Sequence, residues 1–209
     1  MTAPTTWTGR LRSKALENYP PDQLLPDRQP VYVASWIYVF GVLTLASLIV
    51  VLLTGAVLAV EGPQWWHSSS RGHFVNSLHL WSVELFMAFM VIHLWGKFWM
   101  AAWRGKRALT WVTGALCFLG SIGTALTGYA VQSNFDSQWI TTQAKDGLNS
   151  VGAGSVFNVL NFGQMLMWHI VLLPAVVGLI TFVHVMQVRR TGVVPPFEVL
   201  PIDEPEAQP

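Results

Sequence analysis

The chain has 209 residues, 52% of them hydrophobic and only 11% charged, where a soluble domain carries about 25% charged residues. A mean hydropathy of +0.43 is more apolar surface than a water-soluble fold of this length can hide, which argues against a cytosolic enzyme. A net charge of +1 offers no electrostatic footprint for nucleic acid. The single cysteine, Cys117, excludes an intrachain disulfide, an iron–sulfur cluster held by this chain alone and a cysteine-rich zinc site.

The N-terminal stretch WTGRLRSKALENY reads either as an amphipathic surface helix stopped at Pro20-Pro21 or as a disordered tail. Four uncharged or nearly uncharged runs follow: 29–60, 72–96 with Glu84 alone, 108–135, and 147–188. A spanning helix needs about 20 mostly apolar residues. The runs therefore predict four transmembrane helices: A near 32–60, B near 75–100, C near 110–132 and D near 161–188. Helix A is too long for the core of a signal peptide and is expected to be retained. The C–D connection, 133–160, is too long for a turn and is expected to form short helices on the membrane surface. The PIDEPEAQP end has a disordered composition.

Basic residues set the expected orientation. Arg10, Arg12, Lys14, Arg28, Lys97, Arg104, Lys106, Arg107, Arg189 and Arg190 fall on one side of four helices, and only Arg71 and Lys145 on the other. Both termini are thus expected in the cytoplasm, the membrane being a bacterial inner membrane. Trp65 and Trp66 would sit at the outer interface, and Trp99, Trp103 and Trp111 at the inner one.

Four of the six histidines lie within the predicted spans: His79 and His93 on B, His169 and His184 on D. At about 100° per residue, the 14-residue spacing on B closes to within roughly 40° of one face and the 15-residue spacing on D to within roughly 60°. Each pair is about 21 Å apart along its helix. Two helices thus offer one histidine each at two matching depths. A lone intramembrane histidine is often just an interhelical hydrogen bonder, but ionisable groups at membrane depth are costly and usually functional. Two depth-matched pairs suit the axial ligation of two haems, each plane lying in a slot between helices. Zinc is the rival, and it wants three or four ligands at one point. Gly41 and Gly55 on A and Gly114 and Gly128 on C repeat the 14-residue interval. They are either ordinary small-residue packing or the clearance a bulky ring edge needs on each side.

With these residues in view, the chain resembles the N-terminal, haem-binding half of cytochrome b from quinol-oxidising bc and bf complexes, over about residues 5–195. The likeness is closest to the split form, cytochrome b6. The chain stops after helix D, the D histidines are 15 apart, and LTWVTG (109–114), LTGY (126–129) and RRTG (189–192) sit where that family has near-identical strings. The resemblance implies an all-α membrane protein, a four-transmembrane-helix bundle enclosing two b-type haems with bis-histidine ligation. It divides the chain into a cytoplasmic N-terminal segment (1–30), the dihaem domain (31–190) and a cytoplasmic tail (191–209). His79 and His169, flanked by Gly55 and Gly128, would ligate the iron of the outer, low-potential haem. His93 and His184, flanked by Gly41 and Gly114, would ligate that of the inner, high-potential haem. Lys97 and Arg189 either pair with the inner haem's propionates or simply anchor the inner face. Pro174, also shared with the family, would kink helix D.

The chain departs from the family at several points. Asn76 and Gln164 stand where members usually carry arginines that meet the outer haem's propionates, which implies a lowered potential there. GYAVQS replaces the Gly-Tyr-x-x-Pro-Trp string that shapes the outer quinol pocket. Val39 stands at the cysteine that holds an extra covalent haem, so none is expected. Cys117 is read as a packing residue. Glu84 lies about 140° around helix B from His79 and either meets a neighbouring subunit or serves a proton path. His73 breaks the ligand spacing.

By resemblance the chain is a transmembrane electron-transfer subunit, not catalytic alone. It would work with a subunit-IV-like C-terminal cytochrome b chain, a Rieske iron–sulfur protein or substitute, a cytochrome c-type acceptor and menaquinone or ubiquinone, in a dimeric complex surrounded by lipid. The alternative is a dihaem anchor linking another respiratory oxidoreductase to the quinone pool without a bifurcating quinol site.

Overall fold

The computed structural model describes residues 6–26 and 28–196; the tail end expected to be disordered lies outside them. All regular structure among the described residues is helical. Helix α1 (Trp7–Asn18) begins at Thr6, whose hydroxyl accepts the Gly9 N–H at 3.1 Å, and α2 (Pro21–Leu24) follows it. The amphipathic segment before the first span is therefore helical rather than irregular.

Helix α3 (Trp36–Glu61) is the first span. Its 26 residues reach about 39 Å, enough to cross a hydrocarbon core of about 30 Å. It ends at Gly62, whose φ of 81° lets the chain reverse into the short α4 (Pro63–Ser68). Helix α5 (Ser70–Trp99) is the second span and starts five residues before the predicted boundary. Ser69 caps it by accepting the Gly72 N–H at 2.9 Å. Gly72 itself admits α4 closely: a Cβ there would stand 2.6 Å from Trp66 Cα. Helix α6 (Ala108–Val131) is the third span. The connection after it holds one helix of 16 residues, α7 (Phe135–Ser150), in place of the several short helices expected. The fourth span is compound: α8 (Phe162–Met167), a π-helical turn over Trp168–Leu172, and α9 (Leu173–Thr191). All four spans are long and apolar enough to cross a membrane. Leu53, Leu119, Phe182 and many other large apolar residues on them are exposed, as lipid-facing surfaces are.

The π turn has a sequence cause. Pro174 has no N–H and its ring crowds the carbonyl four residues earlier. The helix widens just before it, the Leu173 N–H reaching back five residues to the Trp168 carbonyl. Such a turn takes in an additional residue. It absorbs the extra step in the His169–His184 interval relative to His79–His93.

The spans pack as two hairpins: α3 lies along α5, and α6 along α9. Contact between the hairpins is much thinner. The best-buried apolar cluster, Leu58, Trp66, Val131, Val159 and Met165, closes one end of the bundle. That end carries α4 and α7 and is termed outer; the end bearing the α5–α6 connection is termed inner.

Candidate cofactor site

Two cavities lie along the seam between the hairpins, one toward each end. The outer cavity, of about 310 Å³, is lined by His79 and His169, and the inner, of about 110 Å³, by His93 and His184. The four histidines thus face the seam in the two pairs that their spacing predicts. The outer imidazoles come from opposite hairpins, with ring centres 6.2 Å apart and planes crossed at 87°. An iron midway, with nitrogen bonds of about 2 Å to each side, sets two imidazole centres about 6 Å apart. The residues present therefore fit an axially ligated haem. They do not fit zinc: among the described residues no three His, Cys, Asp or Glu side chains converge.

Hydrogen bonds set the ring orientations. Thr54 Oγ1 donates to the Val50 carbonyl at 2.7 Å, so its lone pair is left to accept from His79 Nδ1 at 2.9 Å. His169 Nδ1 donates to the Thr124 carbonyl at 3.0 Å, and His184 Nδ1 to the Thr110 carbonyl at 2.9 Å. Thr113 Oγ1 stands 3.2 Å from His184 Nδ1 and donates to Gln187 Oε1 at 2.7 Å. An imidazole whose Nδ1 carries the proton keeps the Nε2 lone pair for a metal. His93 differs: its Nδ1 is buried without a hydrogen-bond partner among the described residues.

The glycines pair with the histidines level by level. A Cβ on Gly41 would stand 3.1 Å from His93 Cε1, and one on Gly55 3.1 Å from His79 Cε1. On Gly114 it would stand 2.9 Å from His184 Cε1, and on Gly128 2.9 Å from His169 Nδ1. Within the protein, what each glycine makes room for is the imidazole itself, a closer fit than clearance for a ring edge.

The cationic candidates separate. Lys97 lines the inner cavity, its Nζ 3.9 Å from the centre of the Tyr38 ring. Arg189 is exposed and stands outside the cavity lining. Arg107 lines it instead, bonding the Gly192 and Val193 carbonyls at 3.4 Å. With Tyr38 Oη donating to the Val194 carbonyl at 2.8 Å, it folds the chain after α9 over the inner mouth. From the sequence alone Arg107 reads only as an inner-face charge. Its signal was its place immediately before the LTWVTG helix.

At the outer level, Asn76 lines the cavity but Gln164 does not. Gln164 Oε1 accepts from the Asn158 N–H at 2.6 Å, and its Nε2 donates to the Val156 carbonyl at 3.2 Å, bracing the loop before α8. The second amide at the cavity is Gln132 of the GYAVQS string. Glu84 and Val39 are exposed, on α5 and α3. Cys117 is half-buried against Thr181, Sγ to Oγ1 3.5 Å. His73 is exposed and donates from Nε2 to the His67 carbonyl at 3.0 Å.

Comparison with known proteins bears on this arrangement directly. The family model "Cytochrome b(N-terminal)/b6/petB" matches residues 84–204. The cytochrome bc complex cytochrome b subunit of Chlorobaculum thiosulfatiphilum is 27% identical over 197 residues, covering 82% of this chain and 45% of that protein. The chain therefore spans about half the length of that relative. Cytochrome b6 of Heliobacterium modesticaldum is 25% identical over 189 residues, covering 80% of this chain and 89% of that one. Cytochrome b6 of Pyropia yezoensis is 26% identical over 134 residues, 58% of this chain and 62% of that one. With four helices able to span a bilayer and a family model matching more than half its length, the chain belongs to the cytochrome b N-terminal/b6 family, multi-pass integral membrane proteins that bind b-type haem.

Proposed function

We propose that the chain is a transmembrane electron-transfer subunit of a bc/bf-type quinol-oxidising complex, holding two b haems, one above the other. The observation that carries this reading is the pair of imidazoles, His79 and His169, facing each other across the seam 6.2 Å apart. Haem b, when bound, takes up and releases one electron at its iron.

The chain's residues supply position and surroundings. His79 and His169 would hold the haem iron at the outer level, and His93 and His184 that at the inner level. Thr54 and the Thr124 and Thr110 carbonyls hold three of these rings in the ligating orientation. Gly41, Gly55, Gly114 and Gly128 leave the rings room. Apolar walls such as Val51, Val83, Phe86 and Val177 exclude water from the outer cavity. Lys97 and Arg107 set positive charge at the inner one. Ligands about 21 Å apart along each helix give a path through the bilayer from one face toward the other.

In this reading a companion C-terminal cytochrome b chain completes the outer quinol pocket, and a Rieske protein or substitute and a cytochrome c-type acceptor take the other electron. Menaquinone or ubiquinone is the mobile carrier, the assembly is dimeric, and both termini are cytoplasmic in a bacterial inner membrane. A second reading, a dihaem anchor for a different oxidoreductase, is favoured by Gln132 and Ser133 standing where the family has Pro-Trp. Purifying the native complex tests both: identification of its subunits, pyridine haemochrome analysis and electron paramagnetic resonance. Two low-spin haems per chain with a Rieske partner support the first reading. Two haems with a different oxidoreductase support the second, and no haem b in the assembled complex overturns both.

A further inference from the structure

Asn76 lies three residues before His79 on α5, one turn toward the outer end, and Gln132 lies just past α6, four residues after Gly128 and also one turn outward. Their carboxamides bond reciprocally: Asn76 Nδ2 donates to Gln132 Oε1 at 3.1 Å, and Gln132 Nε2 donates to Asn76 Oδ1 at 3.2 Å. Among the described residues this is the only side-chain pair hydrogen-bonded from one hairpin to the other. Both amides are half-buried and both line the outer cavity.

Each carboxamide has two N–H donors, and the reciprocal pair engages one of them. One N–H on each amide therefore remains, on the two sides of the seam. Trp66 lines the same cavity, 5% exposed, with its indole N–H buried and unpartnered among the described residues. No lysine, arginine, aspartate or glutamate lines this cavity, whereas Lys97 and Arg107 line the inner one. Haem b carries two carboxylates, which are costly to bury unless hydrogen-bonded. The amides are the polar groups at the outward end of an otherwise apolar slot.

We propose that Asn76 and Gln132 form a charge-neutral clamp for the carboxylates of the outer haem, supplying N–H donors where the inner cavity supplies cations. The proposal rests on the dihaem reading above. Neutral donors hold a carboxylate without cancelling its charge, so its field stays on the nearby iron and favours the oxidised form. The same two amides tie α5 to the end of α6, so the clamp also latches the hairpins together over the haem.

The test uses the whole complex purified with Asn76→Arg, Asn76→Leu or Gln132→Leu. Pyridine haemochrome analysis gives haem content, optical redox titration gives both midpoint potentials, and resonance Raman gives the propionate bending band. The outer haem is identified as the one whose magnetic resonance signal changes in Thr54→Val. Asn76→Arg is expected to raise the outer midpoint and leave the inner one in place. Both leucine variants are expected to keep two haems and displace the outer haem's propionate band. Should a leucine variant fail to assemble, Gln132→Glu, matched in size, is expected to lower the outer midpoint alone. Wild-type midpoints together with an unmoved propionate band would reduce the pair to a tie between helices and overturn the clamp. Fewer than two haems in the unsubstituted complex would instead defeat the dihaem reading beneath it.

Discussion

The outer and inner cavities share a plan and differ in charge. Each is bounded by one histidine from either hairpin, and each histidine is faced by a glycine on the helix beside it. The outer one is closed by two amides and walled with aliphatic side chains, while the inner one takes in Lys97 and Arg107 beneath a strap of backbone at 192–194. In the dihaem reading, the repeat of the plan would make two equivalent ligand sets. The difference in charge would make them unequal in energy, because a cation near an iron centre favours the reduced, less positive state of the whole site. In that reading, a gradient from the outer centre to the inner one would follow from which side chains end each slot.

Substitutions at the ligands should break the comparison most. His79→Ala should abolish the outer haem and His184→Ala the inner one, each leaving about half the haem b of the parent chain. Both are measured by pyridine haemochrome analysis, and loss of both haems from either variant would mean that the sites are not separable. Next are the glycines, where an added methyl meets an imidazole at a cost of about 1–3 kcal/mol. Gly128→Ala should lower thermal retention of haem more than Gly55→Ala, because its Cβ would press on His169 Nδ1 at 2.9 Å, whereas Gly55 would meet only His79 Cε1 at 3.1 Å. Haem loss on heating, followed by absorbance, gives the ranking. Lys97→Met removes one of the charges that separate the cavities. It should lower the inner midpoint by an amount on the order of 1 kcal/mol and leave the outer one unmoved. The smallest effect is expected at the ring-orienting hydroxyl. Thr54→Val takes away the acceptor for His79 Nδ1, worth about 1 kcal/mol, and should alter the outer haem's magnetic resonance signal with little loss of haem.

Much of this was legible because helix periodicity is rigid. Fourteen residues return a side chain to nearly the same face, so His79, His93 and the four glycines announce both levels. The pairing on α9 looked less exact at 15 residues, and the π turn ahead of Pro174 takes up the difference. Helical phase also separates Lys97 from Arg189. Four residues after His93 is about 40° from the ligand face, whereas five after His184 is about 140° away, which is why one lines the cavity and the other is exposed. What remained hidden depends on loops and on contacts between distant segments. Arg107 reaches the inner cavity through carbonyls some 85 residues away in the chain. Gln164 follows the right spacing but is drawn off by the backbone at 156–158, and Gln132 takes its place. No periodicity encodes such choices, because they follow from where a non-helical backbone presents its unpaired groups.

The hydrogen bonds that aim the imidazoles stay within hairpins: Thr54 and His79 share the first, and Thr110, Thr124, His184 and His169 the second. Each half therefore carries its own ring-aiming groups, His93 excepted. Insertion into the bilayer can then run as two helical pairs, each bringing most of its ring-aiming groups with it, before the seam between them closes.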